Sequence, residues 1–287
     1  MRVLVSGGSG FIGSYVVENL LEKGHEVTIF DHQVKPHNNT ETFLGDIRDA
    51  TAVNEAVSHH DAVIHLAGIL GTSETVSNPL PSIETNIIGS LNVLQACRQF
   101  GKKAVDITVG NYWMLNSYSI TKLAVEKLTL MFNKEYNTKV ALVRGLNVYG
   151  PRQKVKPVRK IAPSFIMSAL RDEELLINGD GEQIADMIYV KDMAEILVRA
   201  LLVDHGVYDK IFEAGTGRRD SVNTIAKEII KQVGKGRIKY IPMRQGEEMR
   251  AVVLGDPKTL QPLNFDKFTS LEDGLKPTIK WYRENEL

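Results

Sequence analysis

The stretch that most limits what this chain can become is its first thirteen residues. The largely apolar run Arg2-Val-Leu-Val-Ser6 gives way there to glycines at positions 7, 8, 10 and 13. A short apolar run reads as a buried parallel strand ending at Ser6, and the apolar spacing from Phe11 reads as a helix. Between them the chain turns tightly. A side chain at Gly7 or Gly10 would keep a pyrophosphate away from the backbone amides at the helix N-terminus, and Gly13 lets helix and strand pack closely. Glycines alone mark only a tight turn. Strand before, helix after and the second strand Val27-Thr-Ile-Phe-Asp31 make this the first βαβ unit of a dinucleotide-binding domain.

The same alternation continues. Helical spacing over Phe11–Lys23 stops at Gly24, and Glu26–Phe30 is strand-like. Asp49–His59 reads as a helix, Asp61–Ala67 as a third buried strand, and Ser82–Phe100 as a long helix closed by Gly101. Lys103–Thr108 is a fourth strand, Tyr118–Tyr136 another long helix and Lys139–Arg144 a further strand. Strands separated by helices imply parallel crossovers, so the fold class is α/β, a doubly wound parallel sheet covered on both faces. After Gly150-Pro151 short helices (161–171, 192–202, 221–233) mix with short strands (175–177, 188–190, 211–214, 238–241), which suits a smaller α/β C-terminal substrate lobe. The expected division is a dinucleotide-binding (Rossmann) domain over 1–150, rejoined by about 184–217, with the lobe made of 151–183 and 218–287.

Composition narrows the partners. With 35 basic and 35 acidic residues the formal charge is zero, so no electrostatic case for nucleic acid or an anionic membrane arises. No stretch reaches the roughly 18 apolar residues that span a bilayer, no signal segment precedes the first strand, and a cytoplasmic location is expected. The single cysteine, Cys97, excludes an intramolecular disulfide and an all-Cys zinc site. Its helical apolar spacing with Leu91 and Leu94 reads as a core thiol. No metal site is expected.

Asp31 ends the second strand, 18 residues after Gly13. A carboxylate there accepts hydrogen bonds from both adenosine ribose hydroxyls and repels a 2′-phosphate, and His32 and Gln33 offer no arginine to welcome one, so NAD is expected over NADP. Gly45-Asp46-Ile47-Arg48-Asp49 opens the next crossover. Asp46 could read the adenine amino group with Ile47 covering the ring, whereas Asp49 reads as a helix cap. Tyr118 and Lys122 stand four residues apart on one helix face. With nine tyrosines such a pair arises readily by chance. Its place after the fourth strand of a nucleotide-binding sheet makes it informative. A lysine beside the tyrosine and a cationic nicotinamide would pull the phenol toward neutrality, making a general base for an alcohol proton. Thr108, at the end of the preceding strand, could hydrogen-bond the same hydroxyl.

These motifs run on in order: His65-Leu-Ala-Gly68, Thr85-Asn86 through Gly89, Arg144-Gly-Leu-Asn147-Val-Tyr-Gly-Pro-Arg152, Gly179-Asp-Gly-Glu-Gln183 with Asp186, Tyr189 and Asp192, and Gly246-Glu through Arg250. Together they resemble, end to end, the extended short-chain dehydrogenase/reductases, the family of NAD-dependent nucleotide-sugar epimerases and dehydratases. The resemblance implies Thr108, Tyr118 and Lys122 as the catalytic set, with NAD recycled. It implies cofactor contacts from the turn (Gly7, Gly10, Phe11, Ile12, Gly13), from Asp31 and His32, and from Asp46 and Ile47. Leu66, Ala67 and Gly68 at the third strand end, with Tyr118 and Lys122, complete that set. For the substrate it implies Glu74, Asn147, Arg152 and Arg250, and a homodimer through a four-helix interface of the two long helices.

Within the family, His65-x-Ala-Gly68 with Glu74-Thr-Val and Pro79 is similar to the UDP-galactose 4-epimerases, so a UDP-sugar is favoured. The acid pair that dehydratases carry after the catalytic residue is replaced by Val109-Gly110. The expected function is C4 epimerisation through a transient 4-keto sugar. A dehydratase, decarboxylase or reductase of the same family is the alternative, and a non-catalytic NAD-binding sensor or scaffold the alternative of another kind. Two departures bear on the substrate. Only nine residues separate Thr108 from Tyr118, cutting a loop that usually walls the sugar pocket. Ala185 stands where the family places an arginine for the substrate pyrophosphate, leaving Arg250 and the cluster around Arg152 and Arg159 as replacements.

Overall fold

The computed structural model describes residues 1–33, 40–203 and 206–287. Seven parallel strands make the central sheet: β1 (Arg2–Ser6), β2 (Glu26–Asp31), β3 (Glu41–Leu44), β4 (Ala62–His65), β5 (Lys103–Val109), β6 (Val140–Gly145) and β7 (Ile211–Ala214). Their spatial order is β7-β6-β5-β4-β1-β2-β3. The winding reverses between β1 and β4, which places a ligand crevice at the C-terminal ends of those strands.

Eight helices of nine or more residues are described: α1 (Phe11–Glu22), α2 (Ala50–Ser58), α3 (Gly89–Phe100), α4 (Ser117–Tyr136), α5 (Ile161–Leu170), α6 (Val190–Leu202), α7 (Val222–Val233) and α8 (Leu271–Asn285). Strand side chains alternate between two apolar layers. Val3, Val5, Ile64, Val105 and Val143 pack with α1 and α6, whereas Leu4, Val63, Ala104 and Val140 pack with α2, α3 and α4. With both faces covered, each central strand reads as a continuous apolar run. Outside this sheet lie three short parallel pairs: 174–178 with 237–241, 147–149 with 187–189, and 184–185 with 252–253.

Local chemistry sets the helix ends. Asp49 accepts from the N–H groups of Thr51 and Ala52 as the cap of α2, and Asn116 accepts from Ser119 N–H to start α4. Gly101, at φ 63°, ends α3. Three elements differ from the sequence expectation. The helix expected over 82–100 begins instead as a π turn, Ile83–Ile88, which turns the fully buried Asn86 toward Ile69 and Thr121. β3 is an edge strand without a fully buried residue, so no apolar run announces it. Helix α8 carries Gly274 and Pro277; a Cβ on Gly274 would stand 2.2 Å from the Tyr149 hydroxyl, so packing demands the residue that weakens the helical pattern.

Candidate active site

At the crevice, the glycine turn is held by contact as much as by shape. Gly7 has φ 72°, and a Cβ there would meet Ala67 N at 2.8 Å, so the turn needs glycine first for its own conformation and for the end of β4 beside it. This differs from the expectation that Gly7 is kept bare for a pyrophosphate. A Cβ on Gly13 would stand 2.2 Å from Gly7 O, which is the close helix–strand packing read from sequence. Gly10 caps α1 without a side chain, leaving the first-turn N–H groups, from Phe11 and Ile12 onward, without a capping side-chain acceptor. That cradle fits an anionic dinucleotide. Asp31 lies beside it, accepting from Ser9 N–H and Gln33 N–H at 3.2 Å, with the exposed His32 ring 3.2 Å away. Leu66 N–H donates to Ser6 O, bringing Leu66, Ala67 and Gly68 to the same edge.

The proposed adenine reader is otherwise engaged. Arg48 donates to both Asp46 carboxylate oxygens through Nε and to Oδ2 through Nη2, and this holds the Asp46 carboxyl below its ordinary range. Ile47 is 5% exposed and packs beneath Gly89 in the core, so it does not present a face to a ring; the expected adenine cover is corrected.

Tyr118 and Lys122 lie one turn apart on α4, with no hydrogen bond between their side chains among the described residues. Tyr118 lines the central cavity, and its N–H donates to Thr75 Oγ1. Lys122 is buried, donates from Nζ to Ile107 O at 2.9 Å and lies beside Gly68 at the end of β4. Burial pushes the Tyr118 phenol up to about 12 and the Lys122 ammonium down from its ordinary value. The expectation of a phenol drawn toward neutrality by Lys122 is therefore not met by the chain's own groups: burial is what moves it, and it moves it up.

Thr108 is the main correction. It is 2% exposed, and its hydroxyl donates at 3.3 Å to Glu126, which is itself held by the Arg144 guanidinium at 2.8 Å. Its side chain lies on the Ala104 face of β5, toward α4, and does not line the cavity. The lip of β5 that does so is Val109, Gly110 and Asn111. Gly110 has no hydroxyl to offer, which leaves the Asn111 amide as the polar side chain at the strand end.

The cavity, of about 300 Å³, lies between sheet and lobe and is lined by Asn147, Ala185, Tyr118, Lys160 and Arg244 among others. Two expected substrate residues are elsewhere. Arg152 is drawn to α1, pairing with Glu18 and lying 4.4 Å over the Tyr15 ring. Arg250 is exposed and paired with Asp180 at 3.1 Å. Glu74 does not line the cavity either; it lies 3.9 Å from Arg244, which does, and its buried Oε2 accepts no hydrogen bond among the described residues.

The residues 242–250 cover the gap left by the short loop. Asn116 donates to Gly246 O at 3.0 Å, Thr72 to Glu247 at 2.8 Å, and Arg244 pairs with Glu247. Tyr112, in the loop itself, stacks 4.0 Å from the Arg144 guanidinium. Lys160, at the N-terminus of α5, lines the cavity with no ion pair among the described residues, and burial lowers its pKa. Sequence reasoning missed Arg244 and Asn111 and gave Lys160 no role of its own. For Lys160 a signal existed, a cation directly before a helix start; for the other two none did.

The NAD dependent epimerase/dehydratase family matches this chain over residues 3–110 and 106–215. The chain is 32% identical to a UDP-N-acetyl-alpha-D-glucosaminuronate decarboxylase of Bacillus cytotoxicus, over 99% of this chain and 98% of that one. Its fold superimposes on the UDP-glucose 4-epimerase of Thermotoga maritima, solved with UDP-glucose, with TM-score 0.92, 31% identity and full coverage of both chains. The Thermus thermophilus UDP-glucose 4-epimerase, solved in complex with NAD, gives TM-score 0.89 at 28% identity, covering 99% of this chain and all of that one.

Proposed function

This chain belongs to the NAD-dependent epimerase/dehydratase family, and we propose that it is a UDP-sugar 4-epimerase working by transient oxidation. The observation that carries the reading is Tyr118 lining a cavity that reaches Phe11 and Ile12 of the glycine cradle, with the buried Lys122 one turn along the same helix. The α1 N-terminus, Asp31 and Lys122 would hold NAD, which when bound would supply the acceptor and returning donor of the sugar C4 hydride. Tyr118 takes the C4 hydroxyl proton at its phenolic oxygen and gives it back after the 4-keto sugar has turned over. Lys122 supplies positive charge beside the phenol. Asn111, replacing Thr108 in this role, hydrogen-bonds the reacting hydroxyl. The segment 242–250 keeps water from the keto sugar.

Substrate phosphates are best served by Lys160 and the open N–H groups of α5, with Arg244 behind them, since Ala185 brings no cation. Val109-Gly110 carry no acid pair, which favours epimerisation over dehydration. The resemblance to a decarboxylase makes loss of CO₂ from a UDP-uronic acid the second reading. Incubation with UDP-glucose, UDP-galactose, UDP-N-acetylglucosamine and UDP-glucuronic acid, read by NMR, decides between them. C4-inverted product supports the proposal; a pentose product with CO₂ release replaces it, and inactivity on all four overturns it.

We place two copies together through the α3 and α4 faces. Ile83 and Ile88 of the π turn before α3, Trp113 and Leu115 of the loop before α4, and Ile120 and Met131 of α4 are exposed, apolar surface that a second copy would bury. Sedimentation at a mass of one chain would dismiss this. Among the described residues no helix is long and apolar enough to cross a membrane. The buried free Cys97 is in keeping with a cytoplasmic address.

A further inference from the structure

The head of α4 is fastened on two sides by one amide. Asn116 is 2% exposed, and both ends of its side chain are engaged. Oδ1 accepts from Ser119 N–H at 2.9 Å and so caps the helix. Nδ2 donates to Gly246 O at 3.0 Å, in the segment 242–250 that covers the cavity. The two partners fix which way the amide faces, because a backbone N–H only donates and a carbonyl only accepts. Tyr118 follows two residues later, its own N–H held by Thr75 Oγ1 at 3.2 Å.

Gly246 is seated on the same two elements. Its φ is 74°, and a Cβ there would stand 2.9 Å from Val76 Cγ2, 3.1 Å from Asn116 Cβ and 3.2 Å from Thr72 O. Glycine answers both the left-handed backbone and the close approach. Beside it Thr72 donates to Glu247 at 2.8 Å, and Glu247 pairs with Arg244. Thr72, Arg244 and Glu247 line the cavity together with Tyr118, so this seat borders the site. At its far end the cover belongs to another wall of the same cavity. There Ile184 N–H donates to Ala251 O at 2.8 Å, and 252–253 pair with 184–185. The segment therefore bridges that wall and the head of the helix that carries Tyr118.

We propose that Asn116 is a positioning residue that fastens the cover 242–250 to the head of α4, so that the amide bond to Gly246 O seals the site against loss of a keto sugar. The part this plays in turnover rests on the epimerase reading above; the fastening does not. Transient oxidation is what makes a seal matter. A 4-keto sugar that leaves before its C4 hydride is returned is lost as product and strands the cofactor in its reduced form.

The test separates the two ends of the amide. In Asn116→Asp a carboxylate still caps the helix but has no N–H for Gly246 O. Gly246→Ala presses on the same contact from the cover and leaves the cap intact; Asn116→Ser, which also caps, stands in for a variant that folds poorly. In the protein without substrate, amide hydrogen exchange over 242–250 should quicken ~10-fold or more in each variant. Over the first turns of α4 in Asn116→Asp it should stay within ~3-fold. On any UDP-sugar that is turned over, NADH absorbance per turnover should build up ~10-fold or more faster than in the native protein, with free keto sugar in the medium. A merely destabilised protein would lose activity without stranding reduced cofactor. Unchanged exchange over 242–250 overturns the proposal, and so does a loosened cover that strands no more NADH on a sugar it converts. If no sugar is converted, exchange still decides the fastening, while the epimerase reading fails separately.

Discussion

The Thr108 hydroxyl donates to Glu126 Oε2 at 3.3 Å, inside the layer between sheet and α4, and turns its back on the cavity where Tyr118 lies. A threonine at the end of a nucleotide-binding strand reads as a catalytic hydroxyl, and here it steadies a buried ion pair. Replacing it with valine should therefore leave kcat within ~3-fold and lower stability by about 1 kcal/mol, the net worth of one side-chain hydrogen bond. A loss of turnover beyond ~100-fold in a folded Thr108→Val protein would restore the hydroxyl to the reacting centre.

Lys160 and Arg250 should separate cleanly in kinetics. Lys160 faces the cavity without an ion pair among the described residues, whereas Arg250 is exposed and paired with Asp180. Lys160→Met should raise KM for the UDP-sugar ~10-fold or more with a smaller change in kcat, and Arg250→Ala should change KM less than ~2-fold. Steady-state kinetics on both variants checks this, and the reverse ranking would return the phosphate site to Arg250.

The glycine turn makes a prediction about folding and cofactor together. A Cβ on residue 13 would stand 2.2 Å from Gly7 O, a backbone atom that cannot swing aside. Gly13→Ala should cost about 2 kcal/mol or more as α1 is pushed from β1, and NAD affinity should fall with it. Thermal unfolding with and without NAD reads both; an unchanged melting temperature would mean that the helix shifts freely.

Asp106, buried in β5, gives stability a pH dependence of known sign. Its folded value of about 6 lies above the ordinary 3.8, so the folded protein holds that proton more tightly than the unfolded chain does. Stability from this group is therefore full at low pH and is lost as pH rises through about 6. The unfolding free energy of Asp106→Asn minus that of the native chain should grow by on the order of 3 kcal/mol between pH 4 and pH 6.5. Urea melts across that range measure it; a flat difference would show that the carboxyl ionises freely in the fold.

Much of this protein was present in sequence order alone. The run from Arg2 to Gly13, the strand ending at Asp31 and the helix carrying Tyr118 and Lys122 are local patterns, because strand, turn and helix preferences act over a few residues. They sufficed for the parallel sheet and the cofactor. The tertiary structure decided everything that depends on which way a side chain faces and on what lies opposite. Thr108 faces Glu126, Ile47 lies under Gly89, and Arg152 is claimed by Glu18 and Tyr15 on a helix far away in sequence. Lys160 and Arg244 enter the cavity because α5 and the segment 242–250 fold over it. The glycine turn announces a dinucleotide because its function is built into adjacent backbone atoms. The substrate pocket announces far less, because its walls come from segments more than a hundred residues apart and meet only once the chain has folded.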